Sequence, residues 1–282
     1  KDFKFDVRSV PMTTDGMNMN VLTEIMADLK EHPRVLLYTI PSFHNPTSIT
    51  MSDENRLRLA ELADQYSNLV IIADEVYQQL YFDSDNKPPL PLCYYTKRAI
   101  SLGSFSKILA PAFRMGWMQI RDPDLMKLFT ESGHMDSSGG KSPFVQAMIH
   151  GMLGSLNDNI EKCRTHLRTN CDILADAVTE QLSEYVEFVK PTGGYFLWLK
   201  LKNNMASDLL KHSNKFKVKF HSGQRFSVDG GDNYIRLSFS YYNADGMRLG
   251  VQRLKNMFEY MVPKFGVLGW KGRLGSKIFE RI

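Results

Sequence analysis

The run Ser104-Phe105-Ser106-Lys107-Ile108-Leu109-Ala110-Pro111-Ala112-Phe113-Arg114-Met115-Gly116-Trp117 decides how this chain reads. An apolar, strand-like segment, Arg98 to Gly103, leads into it, and a second apolar run, Met115 to Ile120, leads out. The pattern places Lys107 on a loop at a strand end, with hydroxyls just before it and an arginine seven residues after it. In an open α/β sheet, loops at strand ends are where ligands sit. An amine held there can attack a carbonyl and form a Schiff base if its surroundings lower its pKa. A lone lysine is most often a solvated surface group. The residues around this one argue otherwise.

Upstream of Lys107 the chain alternates helix and strand. Val21 to Lys30 reads as a helix opened by Asn18 or Asn20, and Val35 to Ile40 as a buried strand. Ser52 to Tyr66 is amphipathic, with Leu57, Leu59, Leu62 and Ala63 as its stripe, and Leu69 to Ala73 is a second buried strand. Ala99 to Gly103 and Met115 to Ile120 are two more, and strand-helix-strand order is the signature of parallel β units. Beyond Asp122, Pro123 to Thr130 and Pro143 to Leu153 look helical, and Asn157 to Glu184 forms one long helix. Short strands follow at Val186–Val189, Phe196–Leu201, Val218–Phe220 and Tyr234–Phe239, with helices Ala206–Phe216 and Ala244–Met261. This predicts a large α/β domain over 1–155, a smaller α+β domain over 156–262 joined by the long helix, and a basic tail over 263–282.

Composition bounds the function. The 282 residues can bury a large core, and 43% hydrophobic with 23% charged residues is ordinary for a globular protein. A net charge of +4, carried by scattered basic residues, gives no case for nucleic acid. Cys93, Cys163 and Cys171 are too few and too dispersed for a disulfide framework and fit a reducing compartment. No apolar run is long enough to cross a bilayer and no signal peptide opens the chain, so no membrane partner is expected. The expected location is cytoplasmic, with an organelle as the alternative. The start at Lys1-Asp2-Phe3-Lys4, without methionine, reads as a partial chain.

Four clusters fall after strands: Pro41-Ser42-Phe43-His44-Asn45-Pro46-Thr47, Asp74-Glu75-Val76-Tyr77, the lysine run, and Tyr234-Ile235-Arg236-Leu237-Ser238-Phe239. Singly each has a plain explanation: a turn at Asn-Pro, a helix cap at Asp74, an exposed arginine. In this order they resemble the fold type I pyridoxal-phosphate enzymes. The likeness is to the class I/II, aspartate-aminotransferase-like group. Within it, the 2-aminoadipate and aromatic aminotransferase branch carries Asn-Pro-Thr, Asp-x-x-Tyr and Ser-x-Ser-Lys motifs. The resemblance runs from about Val10 to about Met261 and includes Pro191-Thr192-Gly193-Gly194-Tyr195-Phe196-Leu197-Trp198, similar to the family's second-lobe hairpin.

The resemblance implies a pyridoxal 5'-phosphate cofactor, which acts as an electron sink that the protein places and tunes. It implies that Lys107 carries the Schiff base and then moves the proton at the substrate α-carbon. Asp74 would pair with the pyridine nitrogen, Tyr77 and Asn45 with the ring's phenolate oxygen, and Ser104 and Arg114 with the phosphate, Ser106 being the weaker phosphate candidate. Arg236 would take the substrate carboxylate, for which a planar guanidinium fork is suited. The implied function is transamination between an amino acid and a 2-oxo acid by a homodimer. A β-lyase or other α-carbon elimination enzyme is the alternative within the same chemistry, and a non-catalytic sensor the alternative outside it.

Other features take plainer readings. His44 is a loop residue, Met257, Phe258 and Met261 are core, and Phe196 and Trp198 pack the second lobe. Gly139-Gly140-Lys141-Ser142 lacks the upstream glycine of a phosphate-binding loop, since Met135 stands there, so the segment is left as a substrate or dimer contact. No His/Cys spacing suggests a metal. Relatives carry an N-terminal stretch with part of the phosphate cradle and a ring that stacks on the cofactor. None of it is recognisable in residues 1 to 17, so weak cofactor binding by this chain alone is expected.

Overall fold

The computed structural model describes residues 5–133 and 142–265, with side chains to residue 261. They form two compact units. The first runs to Thr169 and takes back Lys190–Phe196; the second comprises Asn170–Val189 and the chain from Leu197 onward.

In chain order the first unit contains β1 (Met12–Thr13), β2 (Gly16–Met17), α1 (Met19–Asp28), β3 (Val35–Thr39), α2 (Asp53–Gln65), β4 (Leu69–Asp74), β5 (Ala99–Ser104), α3 (Phe105–Ile108), β6 (Gly116–Ile120), α4 (Pro123–Thr130), α5 (Pro143–Met152) and the start of α6 (Leu156–Leu182). Helix starts follow their caps. Asn18 Oδ1 accepts from the amides of Asn20 and Val21, and Ser52 Oγ accepts from Asn55 N at 3.2 Å, with Asp53 and Glu54 in the first turn of α2.

The sheet order is β3-β4-β5-β6. β3, β4 and β5 are parallel, whereas β6 runs antiparallel to β5, pairing Ser104 with Gly116. The connection over residues 105–115 is too short for the crossover a parallel strand needs, and so the chain doubles back. On β4, buried Leu69, Ile71 and Ala73 alternate with half-buried Val70, Ile72 and Asp74. The buried set joins Leu22 and Met26 of α1 and Leu59, Leu62 and Ala63 of α2 in one core. Each of the leucine, isoleucine and methionine side chains contributes about 1.5–3 kcal/mol on burial, and each alanine methyl less. Leu57 is not part of this stripe: it is 49% exposed, and Arg56, not a leucine, completes the buried face of α2. Asp74 therefore points to the sheet face opposite the helix-covered core.

The second unit has β7 (Val186–Glu187), β8 (Phe196–Leu201), α7 (Ala206–Leu210), β9 (His221–Ser222), β10 (Tyr234–Ser238) and α8 (Ala244–Phe265), with sheet order β7-β8-β10-β9. Met257, Phe258 and Met261 are core residues of α8, as their spacing suggests. α7 is one turn long and not three. After Leu210 the backbone continues in turns and reaches a left-handed Lys217 (φ 51°), where Ser213 and Asn214 favour turns over helix. The strand expected at Val218–Phe220 forms instead at His221–Ser222, because those are the residues that meet Arg236 and Ile235 of β10. The segment Ser137–Lys141 and the tail from residue 266 lie outside the described residues.

Candidate active site

β4 ends at Asp74, and the chain turns at once: Glu75 N donates to Leu102 O (2.9 Å), Gln78 N to Glu75 O (3.0 Å) and Leu80 N to Tyr77 O (2.8 Å). This winding buries Tyr77, which is 5% exposed. Lys107 is not on an open loop but in the single turn of α3, because Ser104 Oγ caps it by accepting from Ser106 N at 3.1 Å. The Lys107 ammonium lies 5.8 Å from the centroid of the Tyr77 ring and 5.2 Å from that of Tyr195. The two tyrosines meet edge to face at 5.7 Å.

Tyr195 is not marked by the sequence, although the hairpin that carries it is. Its hydroxyl donates to Lys107 O at 3.0 Å, so it fixes the backbone that presents the amine. Burial, chiefly, pushes this phenol up to about 12, and it remains a donor. Glycines set the hairpin's approach. A Cβ at Gly193 would stand 2.4 Å from the Phe43 ring and 2.6 Å from Leu80 O, and Gly194 (φ 78°) donates its amide to Leu80 O at 2.9 Å.

The phosphate candidates are adjacent. Arg114, left-handed at φ 50°, donates from Nη1 to Ser106 Oγ (3.4 Å) and Pro111 O (3.3 Å). The Asn45–Pro46 peptide bond is cis. Asn45 sits in a tight turn in which Ser48 N donates to His44 O (2.6 Å) and His44 N to Ile49 O (2.8 Å). Ser48 Oγ ties the turn to the hairpin through Phe196 O at 2.6 Å. Burial lowers the His44 imidazole to about 4, and its Nδ1 lies 3.0 Å from Thr47 Oγ1.

Behind these loops lies a buried polar network. Arg56, fully buried, donates to Pro41 O (3.1 Å), Ser42 Oγ (2.9 Å), Met51 O (3.3 Å), Leu90 O (2.8 Å) and Glu75 Oε1 (3.4 Å). Glu75 Oε1 also accepts from Leu92 N at 2.9 Å. Burial lowers the Arg56 pKa and raises that of Glu75, and each partner's charge opposes the other's shift. One side chain thus joins the start of the Asn45 loop to the residue after Asp74. A cavity of about 270 Å³ lined by Glu75, Gln78, Ser104 and Trp117 opens nearby; Lys107, Asp74 and Arg114 do not line it.

Asp74 Oδ2 accepts from the Tyr38 hydroxyl at 2.8 Å, while Oδ1 is buried and has no hydrogen-bond partner among the described residues. A buried carboxylate oxygen left without a donor is costly. A protonated ring nitrogen is the kind of donor it lacks, so the residues present fit a pyridinium cofactor. The first unit thus gathers Lys107, Tyr77 and Tyr195 in one cluster and Ser104, Ser106 and Arg114 around α3. Arg236 belongs to the second unit. There it lies opposite His221 in register, with its guanidinium carbon 4.5 Å from the centroid of the Phe226 ring. Burial and then the charges of Arg236 and Arg225 lower the pKa of His221.

Over residues 1–254 the sequence matches the family Aminotransferase class I and II, and the chain belongs to that family. It is 32% identical over 259 residues to the aromatic-amino-acid aminotransferase 1 of Thermococcus litoralis, covering 90% of this chain and 62% of that protein. It is 29% identical over 260 residues to the uncharacterized HTH-type transcriptional regulator YdfD of Bacillus subtilis, covering 90% of this chain and 52% of that protein. Among solved structures, it is similar to the alpha-aminoadipate aminotransferase LysN from Thermus thermophilus, complexed with N-(5'-phosphopyridoxyl)-L-leucine. The TM-score is 0.79 at 26% identity, over 91% of this chain and 66% of that one. The fold is therefore type I of the pyridoxal-phosphate enzymes, and the chain spans between about half and two thirds of the length of these relatives. Among the described residues no helix is long and apolar enough to cross a membrane.

Proposed function

We propose that the protein to which this chain belongs is a pyridoxal-phosphate-dependent aminotransferase exchanging an amino group between an amino acid and a 2-oxo acid. The observation that carries the reading is Asp74 Oδ1, buried at the end of β4 without a partner among the described residues, in a chain of the class I and II family. When bound, pyridoxal phosphate supplies an electron sink for the bonds at the substrate α-carbon. Lys107 would be the attachment point, and its amine, beside the Tyr77 and Tyr195 rings, would take and return the proton at that carbon. Asp74 Oδ1 accepts from the ring nitrogen. Tyr77 and Asn45 bind the ring's oxygen, and Ser104, Ser106 and Arg114 hold the phosphate, Arg114 already lying within reach of the Ser106 hydroxyl. Arg236 pairs with the substrate carboxylate. The 2-aminoadipate and aromatic relatives leave the donor amino acid open, and a homodimer is the proposed assembly.

The test is Lys107→Ala in the full-length protein, assayed with a panel of amino acids and 2-oxoglutarate. Transamination is expected to fall on the order of a thousandfold or more. Retained activity would remove the mechanism. The likeness to the regulator YdfD motivates one competing reading, a ligand-sensing module; cofactor bound at Lys107 with no turnover of any amino acid would favour it. Release of ammonia in place of 2-oxo-acid dependence would favour elimination.

A further inference from the structure

Tyr38 and Asp74 are far apart in sequence yet meet on one sheet face. β3 and β4 pair in parallel with Tyr38 opposite Ile72. Side chains alternate along a strand, so Tyr38, Ile72 and Asp74 share a face, with Asp74 one step diagonal from Tyr38. A tyrosine is long enough to span that diagonal, and its hydroxyl reaches Asp74 Oδ2 at 2.8 Å. Tyr38 is itself 60% exposed, so the ring is not there to fill the core. Burial of the hydroxyl end, then the hydrogen bond to Asp74, raises the phenol above its ordinary range, so it is a donor throughout the working pH range. The consequence falls on the carboxylate. Its terminal torsion has a broad, two-fold well, and either oxygen can face a given donor. Holding Oδ2 removes that freedom and leaves Oδ1 as the buried, open acceptor.

We propose that Tyr38 is a positioning residue: it locks the Asp74 carboxylate through Oδ2 so that Oδ1 is the atom presented to the pyridine nitrogen of the cofactor. The inference rests on the aminotransferase reading and adds to it a residue outside the expected set. A tyrosine that merely straps β3 to β4 would affect every ligand of the site alike. A residue that acts through Asp74 affects only ligands that carry a proton on the ring nitrogen.

The experiment measures dissociation constants of full-length wild type and Tyr38→Phe for pyridoxal phosphate and for its 1-deaza analogue, in which C–H replaces the ring nitrogen. Phenylalanine keeps the ring and deletes only the hydroxyl, and thermal melting checks that the fold is kept. Pyridoxal phosphate binding is expected to weaken about tenfold in the variant, with the analogue unchanged within about twofold. The ¹⁵N shift of the bound ring nitrogen is expected to move as well. Equal weakening of both ligands, or of neither, overturns the role of Tyr38. Wild type that binds neither ligand overturns the cofactor reading itself, which keeps the two failures apart.

Discussion

Replacing Arg56 by methionine probes the network that joins the Asn45 loop to the strand end at Asp74. Methionine restores much of the buried volume but none of the donors. Glu75, 6% exposed, is then left buried without its countercharge, with the Leu92 amide still on Oε1, and its pKa, already raised by burial, rises further. Removing one member of a buried ion pair costs about 3–5 kcal/mol. The carbonyls of Pro41, Met51 and Leu90 lose their guanidinium donor too, at about 1 kcal/mol or more for each that water cannot reach. The loss is therefore expected at about 4 kcal/mol or above, a large share of the roughly 5–15 kcal/mol that holds a typical domain. Urea unfolding at neutral pH, followed by circular dichroism, measures it. Glu75→Gln added to the same variant removes the cost of either charging or protonating that carboxyl group and should return about 1–2 kcal/mol. A loss below about 1 kcal/mol, or a further loss on adding Glu75→Gln, would mean that Arg56 and Glu75 are not a buried, mutually dependent charge pair.

Three more outcomes follow from single features. The folded imidazole of His44 sits at about 4 against an ordinary 6.5, so the unfolded chain binds the extra proton between those values. Its contribution is intact above about pH 6.5 and lost as pH falls toward 4, by on the order of 3 kcal/mol. His44→Asn should flatten that part of the stability–pH curve, and an unchanged slope would contradict the assignment. Gly193→Ala drives a methyl into the Phe43 ring and Leu80 O and should cost about 1–3 kcal/mol in unfolding experiments; a neutral result would mean the hairpin is seated elsewhere. Ser52→Ala removes the cap of α2 and should cost about 1 kcal/mol by the same assay.

Much of the candidate site can be read from the sequence because its motifs are local. A strand end followed by Asp74-x-x-Tyr77, or Ser104-x-Ser106-Lys107 between two apolar runs, is a pattern within a few residues, and the structure sets Lys107 against Tyr77. What the sequence does not disclose depends on register and on burial of polar groups. Tyr38 reaches Asp74 only through the β3–β4 pairing. Arg56 escapes notice because a charged residue on a helix is usually solvated, and apolar spacing wrongly puts Leu57 in the buried stripe beside it. Tyr195 comes from a return segment far along the chain, and only the Gly193-Gly194 pair marks its hairpin as a close approach. The antiparallel course of β6 is implicit in the short connection over residues 105–115, whereas the one-turn α7 reflects turn residues that its apolar spacing conceals.

The proposed function requires the amine of Lys107 to carry the cofactor beside Tyr77 and Tyr195. Borohydride reduction of the full-length protein loaded with pyridoxal phosphate, followed by peptide mass spectrometry, measures this directly. The expected result is one phosphopyridoxyl group per chain, on the peptide containing Lys107. A stoichiometric adduct on another lysine, or none at all, would contradict it.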